Sequence, residues 1–340
     1  MNTTQSSASL KRKPMVEAVE RIYLDNTMLT DYRKCPRYFY LRHVRDWTAI
    51  ETRRPLIFGS AWHAAMGIIW QGYGKTDDRK LLALAFEAFM QKWIEEGGPA
   101  ELSLIQQEEW NPRTPAVAAE MLHNYISERA SMLSRIKMIS SEQPFAVPIF
   151  ADRDDVWLIG RKDQRVLHLN TKETLLIEHK TTTSYKKDGG FKSDFLDSFS
   201  PNSQLESYLY ADATGEKKPA KAVWVDAALV HKSVHDKFKF IPISYATEAM
   251  DAFVWETRDW AMRILSEIER LAVGDQSKAT HMTAFPKNDW SCMGKYGACQ
   301  FLSVCRSIPN PAKQKSPPEG FVAEHWEPFD TLGLSKIMKR

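Results

Sequence analysis

The sequence predicts a mixed α/β fold, a sheet flanked by helices, with a helical insertion early in the chain. Three observations carry that expectation. Segments of helical pattern come first, a block of short β-branched segments follows, and then a helix, two strands and a long helix, an order that suits one helix-covered sheet. The strand segments are separated by breaks short enough for hairpin turns. Composition is that of a globular chain, 43% hydrophobic and 26% charged over 340 residues, and no apolar run approaches the roughly 18 residues that span a bilayer.

In chain order, residues 1 to about 26 hold Ser, Thr, Gln and the Lys11-Arg12-Lys13 cluster and read as a flexible tail. Their first ten lack the apolar core of a secretory signal, so an intracellular address, cytoplasmic or nucleoid-associated, is expected. Leu29 to Val44 predicts a short helix capped by Thr30 and Asp31 and interrupted at Pro36. Phe58 to Tyr73 is apolar on nearly every side and predicts a buried helix. Asp77 to Glu96 is a second helix, acidic at its start and stopped by Gly97-Gly98, and Pro115 to Ile139 a third. These helices make up an insertion at about 74–140. Phe145–Phe150, Val156–Ile159, Arg165–Leu169 and Thr174–Lys180 then read as short strands. Pro201–Ala213 returns to helix, Ala222–Val230 and Lys237–Ile243 add two strands, and Glu248–Leu271 is a long amphipathic helix. Beyond Cys305 lies a tail, residues 306–340, rich in Pro and Lys and extended until about Phe321, so the expected domain is 27–305.

A net charge of +3 permits nucleic-acid binding without arguing for it, because a basic groove can sit inside a balanced total. Basic and aromatic residues interleave from Tyr32-Arg33-Lys34 to Arg45-Asp46-Trp47 and again at Tyr185-Lys186-Lys187, a mixture that suits phosphate neutralisation and base stacking on single strands. A solvated face explains either cluster as well. Trp62, Trp70 and Trp93 fall on helical segments and are expected in the core.

The segment Leu175-Leu176-Ile177-Glu178-His179-Lys180 carries the chemistry. Residues two apart on a strand share a face, so Glu178 and Lys180 project together at the end of an apolar strand. A carboxylate there binds a hard cation, and a lysine steadies charge developing on a phosphate. Upstream, Ile159-Gly160-Arg161-Lys162-Asp163 ends another strand in an aspartate, and a tight turn between the two would set Asp163 beside Glu178 as a two-carboxylate metal site. A solvated Glu–Lys ion pair is the ordinary alternative.

Aspartate followed by Glu-x-Lys closing an apolar strand resembles the nuclease motif of the PD-(D/E)XK superfamily. Gly59-Ser60-Ala61-Trp62-His63 is similar to the histidine motif of its RecB-like branch, and Gln204-Leu205-Glu206-Ser207-Tyr208 to the Gln-x-x-x-Tyr helix of that branch. Cys35-Pro36-Arg37-Tyr38, with the distant trio Cys292, Cys299 and Cys305, resembles the iron–sulfur arrangement of AddB-type nucleases and CRISPR-associated RecB-like exonucleases. The likeness runs from about residue 29 to 305. It implies a restriction-endonuclease-like fold in which His63, Asp163, Glu178 and the backbone carbonyl of His179 hold Mg²⁺ or Mn²⁺. It further implies that Lys180 positions the attacking water and that Gln204 and Tyr208, on one helix face, lean over the metal or contact DNA. Packing is the plain alternative for His63, Gln204 and Tyr208.

Four cysteines in a reducing compartment do not suit a disulfide framework. Structural zinc draws on pairs two to four residues apart, and none occurs here, whereas four thiolates suit a 4Fe–4S cubane. The gap from Cys292 to Cys299 is wider than the family's short spacing, so zinc or a degraded site stays open. The implied activity is a DNA exonuclease on single-stranded or free ends, in phage DNA processing, recombination and repair, or CRISPR adaptation. There is no Gly-x-x-x-x-Gly-Lys-Ser/Thr loop for ATP, so unwinding would fall to a helicase or a recombination or adaptation partner. Two other classes fit the same residues: a non-catalytic nucleic-acid-binding module and a zinc-stapled interaction protein. Metal-dependent cleavage of DNA separates the first from an enzyme, and the visible spectrum of the purified protein tests the second.

Overall fold

A computed structural model describes residues 21–50, 53–187, 189–276, 278–294, 297–327 and 331–336. In chain order the elements are β1 (Ile22–Asp25), α1 (Asn26–Lys34), α2 (Pro36–Phe39), β2 (Trp47–Ala49), α3 (Arg54–Gly72), α4 (Asp78–Glu95), α5 (Leu104–Trp110) and α6 (Pro115–Leu133). There follow β3 (Ile136–Pro148), β4 (Val156–His168), β5 (Thr174–Thr182), α7 (Ser193–Asp197), α8 (Ser203–Gly215), β6 (Val223–Leu229), β7 (Phe238–Ile243) and α9 (Thr247–Val273). The chain ends in β8 (Met293–Gly294), β9 (Gly297–Ala298), α10 (Leu302–Ser307) and β10 (Phe321–Ala323). No helix among the described residues is long and apolar enough to cross a membrane.

One mixed sheet organises the molecule. Its strands run β1-β4-β5-β6-β7, with β3 on the other edge of β4. β4 is antiparallel to β3 and β5 and parallel to β1, while β5 runs parallel to β6. Each face of the sheet buries its own apolar core. On one face, Leu158, Leu176, Val223 and Val225 meet Leu205, Phe253 and Ile264 of α8 and α9. On the other, Val166, Leu175 and Ile177 meet Phe58, Trp62, Met66 and Trp70 of α3. The helix α3 is apolar around most of its circumference because it lies between the sheet and α4, so Ile57, Phe58, Ala61, Trp62, Ala65, Met66 and Ile69 are all buried. Trp62, Trp70 and Trp93 are core residues, as their helical spacing suggests.

Several boundaries differ from the sequence reading, each for a physical reason. The first helix starts earlier, and its N-cap is Asp25, whose carboxylate accepts from the Met28 N–H at 2.7 Å; Asp31 instead pairs with His43 at 2.8 Å. Helix α6 stops at Leu133, and Ile136–Ile139 opens β3 because those residues alternate between half-buried and exposed. The two expected strands Val156–Ile159 and Arg165–Leu169 are one strand, β4, whose polar middle is tolerated because its charges are paired. Lys162 Nζ and Arg165 Nε both reach Asp212 Oδ1, at 2.7 and 3.0 Å. Asp163 and Glu178 therefore lie within strands rather than at their ends. The expected N-terminal tail falls outside the described residues for 1–20, and Ile22–Asp25 is a sheet strand. The C-terminal segment is packed too, for β10 pairs with β2 and Leu334 is fully buried.

Candidate active site

The site lies where the sheet splits. One edge of β4 pairs with β3, while its other edge is shared: β1 takes Val156–Ile159 and β5 takes Gln164–Leu167. Gly160–Asp163 fall between those two partners. Beyond Ile177, β5 continues its ladder only with β6. The result is a crevice between β4 and β5, open to helices on both faces of the sheet.

Asp163 comes one position past the last ladder pair, Gln164 with Ile177, and so stands opposite Glu178. Its Oδ2 accepts from the His179 backbone N–H at 2.9 Å and lies 3.1 Å from His63 Nδ1 of α3. Burial works against its charge, but the His63 imidazole outweighs burial and holds the carboxyl well below the usual carboxylate range. Burial likewise opposes a proton on His63, and Asp163 overcomes it, raising that imidazole to about 9.

Glu178 is 1% exposed. Its Oε1 accepts from Lys180 Nζ at 2.5 Å and from Gln204 Nε2 at 3.0 Å, while Oε2 is buried with no hydrogen-bond partner. Burial, and then the nearby Asp163 charge, push this carboxyl up to about 7. Burial opposes the charge on Lys180 as well, but Glu178 more than compensates and raises its pKa, so the amine stays an ammonium. The helix α8 closes the crevice from the other face. Asn202 caps it by accepting from the Gln204 and Leu205 N–H groups. One turn apart, Gln204 and Tyr208 then point at the strand: Gln204 Oε1 accepts from Lys180 Nζ at 3.0 Å, and its Nε2 donates to the Tyr208 hydroxyl at 2.8 Å. His179 turns its ring away, against Trp70 and toward Asp226 Oδ2 at 3.3 Å.

His63, Asp163, Glu178, Lys180, Gln204 and Tyr208 thus stand together, drawn from α3, β4, β5 and α8. Glu142 of β3 joins them without having been singled out from the sequence. The β3 register sets it opposite Asp163, and one ligand atom each from His63, Glu142 and Asp163 lie within 4.8 Å of one another. Its only signal was a carboxylate in a polar stretch, Ser140-Ser141-Glu142-Gln143, which no strand pattern claimed.

The four cysteines gather at a second place, where α1 and α2 meet the C-terminal segment. Cys35 separates the two helices, Cys299 N–H donates to Cys292 O at 2.8 Å, and Cys305 lies in α10. All four are free thiols. Burial pushes up both the Cys299 and the Cys305 thiols, the latter to about 11, and nearby sulfurs add to it, Cys35 and Cys292 at Cys299 and Cys35 and Cys299 at Cys305.

The two basic–aromatic clusters differ. Tyr32 and Trp47 are buried, Lys34 covers the Tyr38 ring, and Arg45 Nη1 donates to Pro311 O at 3.0 Å, so the first cluster mostly builds structure. Tyr185, Lys186 and Lys187 are exposed just past the end of β5.

The family described as the PD-(D/E)XK nuclease superfamily matches residues 26–306. Among solved structures, the crystal structure of SSO0001 is similar at 14% identity over 85% of this chain and 96% of that one, with a TM-score of 0.30, too low to carry an argument. No curated protein sequence matches the chain.

Proposed function

This chain belongs to the PD-(D/E)XK nuclease superfamily, and from that membership we propose a metal-dependent DNA exonuclease of the RecB-like branch, hydrolysing phosphodiester bonds at single-stranded ends. One observation carries the metal dependence: Glu178 Oε2 is buried without a partner in a crevice that also holds Asp163 and His63. A buried carboxylate oxygen costs free energy unless a proton or a cation meets it. Two carboxylates and an imidazole fit Mg²⁺ or Mn²⁺, with His63, Asp163, Glu178 and the His179 carbonyl as the residues that would hold the ion. When bound, such an ion lowers the pKa of a coordinated water and neutralises phosphate charge.

The chain's own groups supply the rest. Lys180, kept charged by Glu178 and oriented by Gln204, faces the crevice where negative charge grows on the phosphate and holds the attacking water in place. Gln204 ties Lys180, Glu178 and Tyr208 into one network, which fixes the ammonium without a mobile side chain. Tyr185, Lys186 and Lys187 offer a ring and two charges to a single strand leaving the crevice.

For the cysteines, a tetrahedral zinc needs sulfurs about 3.8 Å apart, from bonds of about 2.3 Å. No two of the four cysteines stand two to four residues apart, which favours a 4Fe–4S cubane bound by Cys35, Cys292, Cys299 and Cys305, with a structural role. Phage DNA processing, recombination and repair, or CRISPR adaptation, beside a separate helicase, all suit such a protein.

Digestion of end-labelled single- and double-stranded DNA with Mg²⁺ or Mn²⁺ tests the activity. Wild type should shorten single strands from an end only when metal is present. Asp163→Ala, Glu178→Ala and Lys180→Ala should each lower the rate by roughly a hundredfold or more, as losses of a ligand or of a transition-state charge do, while DNA binding persists. Wild-type rates in the Asp163 and Glu178 variants would overturn the assignment.

A further inference from the structure

We infer that Glu142 is a metal ligand, its carboxylate joining His63 and Asp163 around a divalent cation on the β3 side of the crevice. The inference rests on the metal-dependent reading above and adds a residue that the nuclease motif does not contain.

Three observations support it. The first is position. Among the described residues, His63, Glu142 and Asp163 are the one group of three His, Cys, Asp or Glu side chains with a ligand atom each inside 4.8 Å. Adjacent ligands of an octahedral ion with bonds near 2.1 Å sit about 3 Å apart, so side-chain rotation alone closes the remaining gap.

The second is backbone. Glu142 sits inside β3 with φ of 50°, in the left-handed region that glycine and asparagine occupy most easily. Its immediate neighbours keep sheet register, Ser141 opposite Gln164 and Gln143 opposite Lys162, and the strand's one register shift comes earlier, between Met138 and Ser140. Asp46, Lys172 and Phe285 also take a positive φ, but of the four only Glu142 stands beside His63 and Asp163, which marks its side chain as the one with work to do.

The third is independent of Glu142. Glu178 Oε2, opposite Asp163 across the split, is buried with no hydrogen-bond partner. An unsatisfied acceptor on this buried carboxylate calls for a cation or an ordered donor in the crevice.

Arg161 supplies the competition. Its Nε lies 2.7 Å from Glu142 Oε2, and both side chains are nearly half exposed. An ion entering beside His63 and Asp163 therefore takes Glu142 from Arg161. A ligand and its competitor respond in opposite senses to mutation, whereas two halves of a structural ion pair respond alike.

Mn²⁺ titrated by calorimetry into the full chain without DNA, together with thermal melting, separates these cases. Glu142→Asn should weaken Mn²⁺ binding roughly tenfold or more, the range seen on losing residues that support a metal site. Its melting temperature should hold or rise, because asparagine suits the backbone. Glu142→Asp should stay close to wild type. Arg161→Gln should bind Mn²⁺ as tightly as wild type or more tightly. Asp163→Asn should lose binding. If Glu142→Asn and Glu142→Asp both keep the wild-type constant while Asp163→Asn abolishes binding, Glu142 is not a ligand and the metal site stands without it. If Asp163→Asn also binds as wild type, the metal reading of the crevice fails as a whole.

Discussion

Glu178 and His63 share one difficulty, which is that each is protonated at a pH where its type is normally in the other form or evenly divided. Burial and Asp163 push Glu178 up to about 7, and Asp163 raises His63 to about 9 against the effect of burial. Both must give up a proton before they coordinate a cation. Below pH 7 Glu178 is neutral and a poor ligand; between 7 and 9 it is ionised while His63 still holds its proton; above 9 both are free. Mn²⁺ affinity should therefore climb from pH 6 to 9, with net proton release on binding. Calorimetry in buffers of different ionisation enthalpy reads both quantities. An affinity that is flat over that range, with no proton released, would show that neither group is a ligand. At this scale much of the site was legible in the sequence: Glu178 and Lys180 share a face because they are two apart on a strand, and Asp163 comes opposite through one hairpin. Glu142 was not legible, because only strand register brings it to Asp163.

At the level of elements, the back of the catalytic strand is held by a buried polar chain. Arg129 of α6 donates to Asp226 Oδ1 through Nη2 at 2.7 Å and Nε at 3.2 Å, and Tyr125 donates to Asp226 Oδ2. Trp70 of α3 donates to the Tyr125 hydroxyl at 2.7 Å, and the His179 ring packs against Trp70. Helix α3 and, from the insertion, helix α6 are thereby fixed to β6 and to the strand that carries Glu178 and Lys180. Arg129→Met leaves Asp226 as a buried charge without its guanidinium and should lower stability by about 3–5 kcal/mol. Chemical denaturation measures this, and the double variant with Asp226→Asn should lose less than the sum of the singles. A loss under 1 kcal/mol for Arg129→Met would mean the chain bears little of the fold's stability. These elements show where sequence pattern stops. Helix α9 was legible because its apolar positions repeat one period, α3 because a long apolar run has the length of a buried helix, and α4 because an acidic start and Gly97-Gly98 bound it. The unity of β4 was hidden by the run Arg161-Lys162-Asp163-Gln164-Arg165, whose charges are tolerated only through partners such as Asp212 that lie far away in sequence. The split of the sheet was hidden for the same reason: it exists because β1 and β5 share one edge of β4, and β1 is only four residues long.

Across the whole molecule, the first helices and the last segment close on each other. Arg37 Nε donates to Phe285 O at 2.9 Å, Asn288 N–H to Cys35 Sγ at 3.3 Å, and Gln300 Nε2 to the Tyr38 hydroxyl at 2.7 Å. Phe39 stacks on Phe285, and β10 pairs with β2. A cluster bound by Cys35 and by Cys292, Cys299 and Cys305 would add a covalent closure to that seam, spanning more than 250 residues of chain. Closing so long a loop removes unfolded-state entropy equivalent to about 5 kcal/mol, if native geometry is unstrained. The thiol of Cys305, pushed up to about 11 by burial, stays protonated at neutral pH unless a metal draws the proton off. Protein purified without oxygen should then be brown, with the broad visible absorbance of thiolate-bound iron. Cys299→Ser should be pale and melt earlier, and its nuclease activity should fall in step with the folded fraction. The Mn²⁺ constant of the protein that remains folded should not change, because the seam and the crevice use different residues. A colourless wild type carrying one zinc per chain would exclude the iron cluster and keep the closure. A Cys299→Ser variant that melts and cleaves like wild type would exclude both, leaving the seam to its hydrogen bonds and aromatic contacts alone.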